Sequence, residues 1–547
     1  MNRVSNKTMV SNAVTLAGQD QWYLRSDVKI EPLMCGWPTW PHLLPPLQYA
    51  MNLANRHLPN LKSFVASPWV HVAAAEDPEM LGGPFVCLST DDIPAVRDLI
   101  SSIQERCSEL LKIAQDFHEL DQKLQSAAKG FCLDESYKQV PESLRGLVEL
   151  TYDINSHPKI RLLEELSYER WKGYTAPLQE ICVHNTHSGD RPFFMSTPLL
   201  KTDDRVLLKL PFLDPKVDLL SRLRYQPLTI AEICESLPAE LSKDSNFSKF
   251  FTTEPPLRNL PRFEGDGIRI RYFGHACMLV ESAEVSVLID PLTAWEKDER
   301  EATLTFVDLP DRIDYLVLTH GHQDHLVPDI LLQLRGRVGE VVVPRNDAGN
   351  IADPSLKLIL KTLGFQRIRV VDPLDIIDLP GGSLMSLPFI GEHSGLDVLS
   401  KHCVLVELGG RRILFMADSD TVDAHIFDHM ADMLGRVDIV FLGMECHGAP
   451  LTWFYGPLLS RQPSRRDDES RRLSGSNFER ARNAVMKIKP SRAYVYAMGQ
   501  EPWLRALMGL QYAPDSIQII ESNSFVEYCT ANGIESERLY GCSELII

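Results

Sequence analysis

The sequence has no paired-cysteine motif, because its 11 cysteines are scattered over 547 residues and no C-x-x-C pair occurs. An odd number of scattered cysteines indicates reduced thiols in a cytoplasmic protein rather than a disulfide or zinc-ribbon framework. Residues 1–21 are polar and contain no apolar segment of a signal peptide. No apolar run approaches the length that spans a bilayer. We therefore expect a soluble, cytoplasmic protein without a membrane partner.

Positive charge and nucleotide-binding motifs are also scarce. The formal net charge is −18, which argues against nucleic acid and anionic membranes as partners. No G-x-G-x-x-G fingerprint of a flavin or nicotinamide site is present, and the pairs Gly381-Gly382 and Gly409-Gly410 are typical of turns. A redox reaction of this protein would thus need an external electron donor.

The length predicts at least two domains. Prolines and glycines concentrate between Thr252 and Gly267, as is typical of a stiff connector, so we divide the chain into residues 1–260 and 261–547. A long amphipathic pattern in the first part, from Asp91 to Ala128, predicts one continuous helix. No catalytic constellation occurs there, and we interpret the neighbouring His184 and His187 as polar surface.

The second part alternates short strands with helices, which predicts two sheets sandwiched between helices. The first part predicts a large mixed α/β domain, with strands at residues 147–154 and 206–210 and a helix at 216–223. The fold class is therefore α/β. The strands predicted in the second part span residues 268–273, 277–281, 285–289, 315–318, 340–344, 368–371, 384–389, 404–408, 412–416, 438–444, 494–498 and 517–520.

Four metal-binding side chains follow one predicted strand within six residues: His320, His322, Asp324 and His325. A lone histidine is usually structural, but an H-x-H-x-D-H cluster between a strand and a helix is hard to explain by packing. Imidazole and carboxylate groups suit both zinc and iron, so the cluster predicts a metal site without choosing the metal. If the loop binds two metals, it gives each of them only two ligands, which is too few. Further ligands must therefore come from later strand ends.

Three later strand ends offer these ligands. Asp418 ends the second strand of a predicted hairpin, and His447, the last histidine of the chain, follows the next buried strand. His425 and His429 are weaker candidates, because they lie in a helical pattern. The third strand end carries two adjacent candidates, Glu392 and His393. Glu392 would favour iron and O₂ chemistry, whereas His393 would favour zinc and hydrolysis.

The segment from Ser460 to Ser476 interrupts the alternation of strands and helices. We interpret it as a solvated, mobile loop, with docking of an acidic partner as the alternative. It carries five arginines among serines and acidic residues: Arg461, Arg465, Arg466, Arg471 and Arg472.

The histidine cluster is the signature of the metallo-β-lactamase fold, which the sequence resembles from about Ile268 onward. Over nearly the whole chain, the sequence resembles the diiron β-hydroxylases of nonribosomal peptide biosynthesis, of the chloramphenicol-pathway type. The pairing of a large N-terminal domain with Glu392 is the most specific part of this resemblance. The matching stretches are residues 23–24, 31–33, 63–65, 274–276, 319–325, 391–393, 443–446 and 448–453.

The resemblance implies a C-terminal αββα sandwich with two iron ions. It implies that Glu392 and Asp418 are the catalytic carboxylates, and that His275 and Asp290 support the metal loop. Seven side chains would hold the irons: His320, His322 and Glu392 on one, Asp324, His325 and His447 on the other, and Asp418 as the bridge.

The resemblance also implies a reaction. An O₂-dependent monooxygenase would hydroxylate the β-carbon of an amino acid tethered as a thioester to a carrier domain of a nonribosomal peptide synthetase. An electron donor protein would supply two electrons, and the enzyme would be a homodimer. The alternative is a binuclear zinc hydrolase of a lactone, thioester or phosphodiester, in which His393 replaces Glu392 and a bridging hydroxide attacks. A third hypothesis, a scaffold that binds carrier domains without catalysis, is disfavoured, because such a scaffold would not need metal ligands at all these strand ends.

Overall fold

The structure, a computed structural model, describes residues 20–77, 80, 83–127, 129–186, 192–242, 244–256, 262–295, 303–509 and 511–547. Among these residues, no helix combines the length and apolar composition that crossing a bilayer requires. The α-helices are α1 (Pro46–Asn52), α2 (Leu58–Ala66), α3 (Pro68–Glu76), α4 (Ile93–Arg106), α5 (Ser108–Ala127), α6 (Asp134–Tyr137), α7 (Glu164–Thr175), α8 (Pro215–Arg222), α9 (Ile230–Ser236), α10 (Ala239–Ser242), α11 (Asp244–Phe250), α12 (Pro328–Leu334), α13 (Leu356–Thr362), α14 (His425–Leu434), α15 (Leu451–Tyr455), α16 (Arg465–Ser470), α17 (Phe478–Ile488), α18 (Arg505–Met508) and α19 (Ile517–Ala531).

The strands are β1 (Gln21–Leu24), β2 (Val28–Met34), β3 (Trp37–Pro38), β4 (Val148–Tyr152), β5 (Pro158–Leu162), β6 (Gln179–Asn185), β7 (Arg205–Leu208), β8 (Leu228–Thr229), β9 (Phe251–Thr252), β10 (Arg269–Tyr272), β11 (Met278–Glu281), β12 (Ser286–Ile289), β13 (Ile313–Val317), β14 (Val338–Pro344), β15 (Ile368–Val371), β16 (Ile376–Leu379), β17 (Gly382–Leu387), β18 (Glu392–His393), β19 (Cys403–Leu408), β20 (Arg411–Phe415), β21 (Ile439–Gly443), β22 (Leu473–Ser474), β23 (Arg492–Tyr496), β24 (Glu535–Arg538) and β25 (Ser543–Ile546).

Two large sheets face each other in the C-terminal half. Within the described residues each has seven strands, in the orders β15-β14-β13-β12-β11-β10-β25 and β16-β17-β19-β20-β21-β23-β24. In both sheets a set of antiparallel strands continues into a set of parallel strands. Apolar side chains from both, such as Val287 and Phe415, fill one core between the sheets. The predicted hairpin of β19 and β20 is present.

Helices cover the outer faces of the two sheets. The first sheet is covered by α12 and α13, which contribute Ile330 and Ile359 to its outer apolar cluster. The second is covered by α14, α17 and α19. Amphipathic spacing accounts for this placement: α14 buries Phe427, Met430 and Leu434, three and four residues apart. The αββα sandwich predicted for this half is therefore confirmed.

The N-terminal half is mixed α/β, as predicted. Its sheets have the orders β3-β2-β6-β7 and β8-β1-β9, and β4 and β5 form a hairpin. One apolar cluster runs from Trp37 and Leu110 in this half to Leu288 and Leu316 on the outer face of the first C-terminal sheet. The two halves thus share buried apolar surface, and the division at residue 260 remains a prediction.

Two predictions of secondary structure were wrong. The helix expected from Asp91 to Ala128 is broken, because α4 ends at Arg106 and α5 starts at Ser108. Cys107 leaves the helical region there (φ −110°, ψ 16°) but stays buried, so the apolar stripe continues across the break. The strand expected at residues 517–520 is the first turn of α19.

Candidate metal centre

The site lies where strand ends of the two sheets meet. Asp290 follows β12, and the loop from Thr319 to His325 follows the parallel neighbour β13. On the other sheet, Asp418 and Glu445 follow the parallel neighbours β20 and β21. Carboxyl ends of parallel strands meet at one edge of a sheet, which is a common location for ligand sites.

The structure brings six of the seven expected ligand residues together. His322 Nδ1 lies 2.8 Å from Glu392 Oε1, and His325 Nε2 lies 3.2 Å from Asp418 Oδ2 and 3.7 Å from Asp324 Oδ2. His320 contributes to both halves of the cluster, since its ring is grouped with His322 and Glu392 on one side and with His325 and Asp418 on the other. All six side chains are buried. This geometry fits two metal ions close together.

Unsatisfied atoms in the cluster support a metal site. His320 Nε2 and Asp418 Oδ1 are buried and have no hydrogen-bond partner among the described residues. A buried polar atom without a partner is costly, and a metal ion would satisfy both atoms. The cluster offers imidazole nitrogens and carboxylate oxygens, and this donor set suits iron.

Residues behind the cluster orient its ligands. Asp290 accepts hydrogen bonds from Thr319 N (2.7 Å) and Thr319 Oγ1 (2.5 Å), and its Oδ2 lies 2.8 Å from His325 Nδ1. The bond to Nδ1 leaves Nε2 of His325 for a metal, an arrangement typical of metal-binding histidines. His275 Nδ1 accepts a bond from Gly499 N–H, so its Nε2 is positioned to donate to Asp324 at 3.0 Å. Both residues therefore contact expected ligands, and His275 also lies close enough to Asp324 and His325 to form a further candidate metal-binding group with them.

The backbone around the cluster is strained. Several non-glycine residues there have left-handed φ angles, which cost about 1–3 kcal/mol each and concentrate at functional sites. They include His275 (φ 49°), Asp290 (φ 44°), Glu392 (φ 67°) and Ala417 (φ 47°). Packing around Asp418 is also tight. A side chain at Gly443 would not fit, because its Cβ atom would lie 2.7 Å from the Ala417 carbonyl oxygen and 3.0 Å from Asp418 Oδ1.

The two adjacent candidates, Glu392 and His393, occupy different positions. Glu392 lies within the cluster with His320 and His322. The His393 ring instead stacks on the His322 ring at 4.5 Å, and its Nδ1 lies 2.6 Å from Glu392 Oε2. The geometry therefore favours Glu392 as the ligand and His393 as its neighbour.

Electrostatics also favour cation binding. Burial, together with His325 and His322, holds the pKa of His320 well below its usual value, so this ring is neutral and its nitrogen is available. Burial and the carboxylates Asp418, Asp324 and Glu392 raise the pKa of Glu445 well above its usual value. A group of carboxylates that repel one another is stabilised by bound cations.

His447 is not part of the cluster. Its side chain is exposed, and the charged groups that affect its pKa are Arg472 and Glu469. A tight turn after β21, in which Cys446 N donates to Met444 O (2.7 Å), ends the strand before His447. Glu445, two residues earlier, lines the metal cavity instead. A carboxylate directly after a buried strand, the pattern that identified Asp418, was the available signal for Glu445.

The remaining histidine candidates are not near the cluster. His425 is exposed in α14, where it contacts Asp423, and His429 lies in the same helix. The surface interpretation of His184 is wrong, because the residue is buried in β6 and its Nε2 lies 3.0 Å from Glu31 Oε2. His187 lies outside the described residues.

The arginine-rich segment contains regular secondary structure and adjoins the site. It forms α16 and then β22, which pairs antiparallel with β18, so that Ser474 lies opposite Glu392. Arg471 Nε donates to Ser394 O (2.8 Å) and Arg472 Nη1 to Gly448 O (2.8 Å). The segment is therefore not a loop throughout, although most of residues 461–471 are exposed to solvent, as predicted. Arg461, Arg465 and Arg466 are exposed.

Aromatic side chains after β21 close the site. Phe454 and Tyr455 are buried against His322, with ring centroids at 4.7 and 6.3 Å. The Tyr455 hydroxyl lies 3.4 Å from His322 Nε2. Trp453 lines the metal cavity, whose volume is about 30 Å³. The free space beside the cluster is therefore about the volume of one water molecule.

Comparison with known proteins places both halves of the chain. Residues 23–255 match the family described as the diiron non-heme beta-hydroxylase N-terminal domain, and residues 270–435 match the metallo-beta-lactamase superfamily. The chain is 33% identical over 528 residues to 4-amino-L-phenylalanyl-[CmlP-peptidyl-carrier-protein] 3-hydroxylase of Streptomyces venezuelae, covering 95% of this chain and 98% of that protein.

Other similar proteins match nearly the whole chain or only part of it. The crystal structure of CmlA, a diiron beta-hydroxylase from Streptomyces venezuelae, matches with a TM-score of 0.87 and 32% identity, covering 96% of this chain and 100% of that chain. A UPF0173 protein of Pyrococcus abyssi is 24% identical over 175 residues, which are 32% of this chain and 69% of that protein. The similarity extends over both domains, and the C-terminal domain contains a buried, carboxylate-rich cluster of metal-binding side chains. The chain therefore belongs to the diiron non-heme β-hydroxylases, an enzyme family whose name implies two iron ions.

Proposed function

We propose that this enzyme uses O₂ to hydroxylate the β-carbon of an amino acid tethered as a thioester to a carrier domain of a nonribosomal peptide synthetase. The observation that carries the proposal is the 33% identity, over 95% of the chain, to an enzyme named as a 3-hydroxylase of a carrier-bound aminoacyl group. The position of Glu392 within the cluster supports it, because a further carboxylate favours iron over zinc.

The proposed ligand set differs in one residue from that expected from sequence. His320, His322 and Glu392 would hold one iron, Asp324 and His325 the other, and Asp418 would bridge them. We leave His447 out because its side chain is exposed. Glu445 would add a fourth carboxylate to the wall of the cavity.

The irons, once reduced, would supply the activation of O₂. One oxygen atom would enter the β-carbon–hydrogen bond, and the other would leave as water with two electrons and two protons from an external donor. The protein side chains hold the geometry: Asp290 fixes the ring of His325, and His275 fixes Asp324. The aromatic side chains of Trp453, Phe454 and Tyr455 beside the cluster would limit access of water to the reacting carbon.

The partners and location complete the proposal. Electrons would come from a donor protein, because the sequence lacks a flavin or nicotinamide fingerprint.

A homodimer is supported by the exposed apolar residues Trp69 and Val70 on α3, which are 73% and 55% exposed. A cytoplasmic location is supported by the cysteines, none of which forms a disulfide bond in the structure.

The first test compares two forms of one amino acid. The tethered aminoacyl group should be hydroxylated, and the free amino acid should be a poor substrate, with kcat/KM lower by about a thousandfold or more, because remote contacts to the arm and carrier position the β-carbon. Product formation by mass spectrometry measures this, across a panel of aminoacyl carriers. Equal turnover of the free and tethered forms would refute the carrier requirement.

The second test concerns docking. Arg465 and Arg466 are exposed at the start of α16. Reversing both to glutamate should lower kcat/KM for the tethered substrate about tenfold at low salt, and less at high salt, because carrier domains commonly present acidic helices. Iron content should not change.

A matched control is available for the charge reversal. Arg367 and Arg436 are exposed just before the starts of β15 and β21, at the ends of the two sheets opposite to the metal centre. Reversing this pair should leave kcat/KM unchanged. An equal loss in both double variants would indicate a general charge effect, and no loss in the first would refute docking at α16.

A further inference from the structure

A second cavity, of about 430 Å³, lies between the two halves of the chain and borders the metal centre. Its wall includes Arg56 and Asn60 from the N-terminal half and Trp453 and Gln462 from the C-terminal half. Trp453 also lines the small cavity at the metals, so the two spaces share this wall residue. The volume lies within the roughly 300–1,000 Å³ of cavities that bind small ligands.

One polar group in the wall has no partner. Asn60, in α2, is 8% exposed, and its Nδ2 has no hydrogen-bond partner within the described part of the chain. Burying an amide without a partner costs stability, and a buried polar group of this kind calls for an explanation. A ligand with hydrogen-bond acceptors in the cavity would provide the missing partner.

The walls of this cavity are held in place across the two halves. Asn55 Nδ2 donates to the Pro457 carbonyl oxygen at 2.7 Å, and Arg56 Nη2 donates to the Trp453 carbonyl oxygen. These bonds tie the backbone at Trp453 and at Pro457 to the N-terminal half. A site built in this way is formed before its ligand binds, which lowers the entropic cost of binding.

We propose that this cavity binds the pantetheine chain of the carrier domain's arm, an inference that rests on the proposed function. Pantetheine is an uncharged chain with two amides and a hydroxyl, and an amide carbonyl would accept the hydrogen bond from Asn60 Nδ2. The thioester end points past Trp453 to the metal cavity. The phosphate end lies at the rim, where Arg461 is exposed next to the wall residue Gln462.

The same chain occurs in coenzyme A, so the test must separate the two sources. The chemistry that the cavity recognises, two amides on a flexible chain, is shared by both. Coenzyme A carries an additional nucleotide, and a carrier arm does not. If the carrier is the source, coenzyme A should bind no more tightly than 4′-phosphopantetheine.

Calorimetric titration of the iron-loaded, full-length enzyme with pantetheine, 4′-phosphopantetheine and coenzyme A tests the inference. Asn60→Leu should weaken binding of all three at least tenfold, with an equal or higher Tm, because it removes an unpartnered buried amide. Arg461→Glu should weaken 4′-phosphopantetheine about tenfold and leave pantetheine unchanged. Asn155→Leu, at an exposed turn between β4 and β5, is the matched control and should bind like wild type.

Each outcome decides the inference independently of catalysis, because the titration contains no amino acid and needs no O₂. Absence of binding to the wild type at millimolar concentration, or equal binding by wild type and Asn60→Leu, would overturn it. A lower Tm with unchanged binding would make Asn60 a structural residue. Tenfold tighter binding of coenzyme A would overturn the carrier as the source. Failure of the hydroxylation assay alone would instead refute the proposed function.

Discussion

Asp418→Ala is expected to remove both irons from the enzyme rather than one. Asp418 Oδ2 lies 3.2 Å from His325 Nε2 and 3.9 Å from His320 Nε2, so this carboxylate faces one histidine of each proposed iron site. Without the bridge, each iron loses a negatively charged ligand. Turnover should fall by at least about a thousandfold, or ~4 kcal/mol in activation free energy. Elemental analysis of the purified variant measures iron per chain.

His447→Ala is the matched control for this experiment. The side chain of His447 is exposed and lies outside the cluster, so this variant should retain both irons and normal turnover. Thermal unfolding of both variants separates metal loss from misfolding. If Asp418→Ala retains one iron, Asp418 is not a bridge, and if His447→Ala loses iron, the ligand set expected from sequence is restored.

The sequence predicted the part of the site that depends on local spacing. His320, His322, Asp324 and His325 belong to one loop after one strand, so their proximity follows from the chain itself. Asp418 could be placed because a hairpin fixes the register of β19 and β20, and the next sheet neighbour is parallel. Fold class followed from the same alternation of strands and helices.

The sequence could not predict which way side chains point after a strand has ended. His447 follows β21, but the turn at Met444–Cys446 ends the strand, so that Glu445 faces the cluster and His447 faces solvent. A two-residue period holds only while the strand is extended. The same limit applied at residues 392 and 393, where the left-handed φ of Glu392 sets the direction of both side chains.

Local sequence patterns also could not predict that strands distant in the chain pair with each other. The segment of five arginines was expected to be mobile because its composition is polar and charged. In the structure β22 pairs with β18, 80 residues earlier in the chain, and Asp468 accepts bonds from Thr452 N and Oγ1. The strand expected at 517–520 is a related case, since short apolar runs do not distinguish a strand from the first turn of a helix.

Glu392→His is expected to abolish O₂-dependent hydroxylation while metal binding persists. The substitution replaces a carboxylate with a neutral imidazole at the position 2.8 Å from His322 Nδ1, which removes negative charge that stabilises oxidised iron and gives a histidine-rich site suited to zinc. Histidine tolerates the left-handed backbone at this position better than most residues do. Turnover should fall by at least about a thousandfold, ~4 kcal/mol, with two metal ions still bound per chain.

His393→Ala decides between the two neighbouring ligands. Because the His393 ring stacks on His322 outside the cluster, its loss should leave two irons in place and reduce turnover by no more than about the 10–100-fold typical of residues that support metal ligands. Iron and zinc content, together with product formation from a tethered amino acid, are measured for both variants. Normal hydroxylation by Glu392→His with none by His393→Ala would reverse the assignment, because it would make the histidine the ligand on which oxygen chemistry depends.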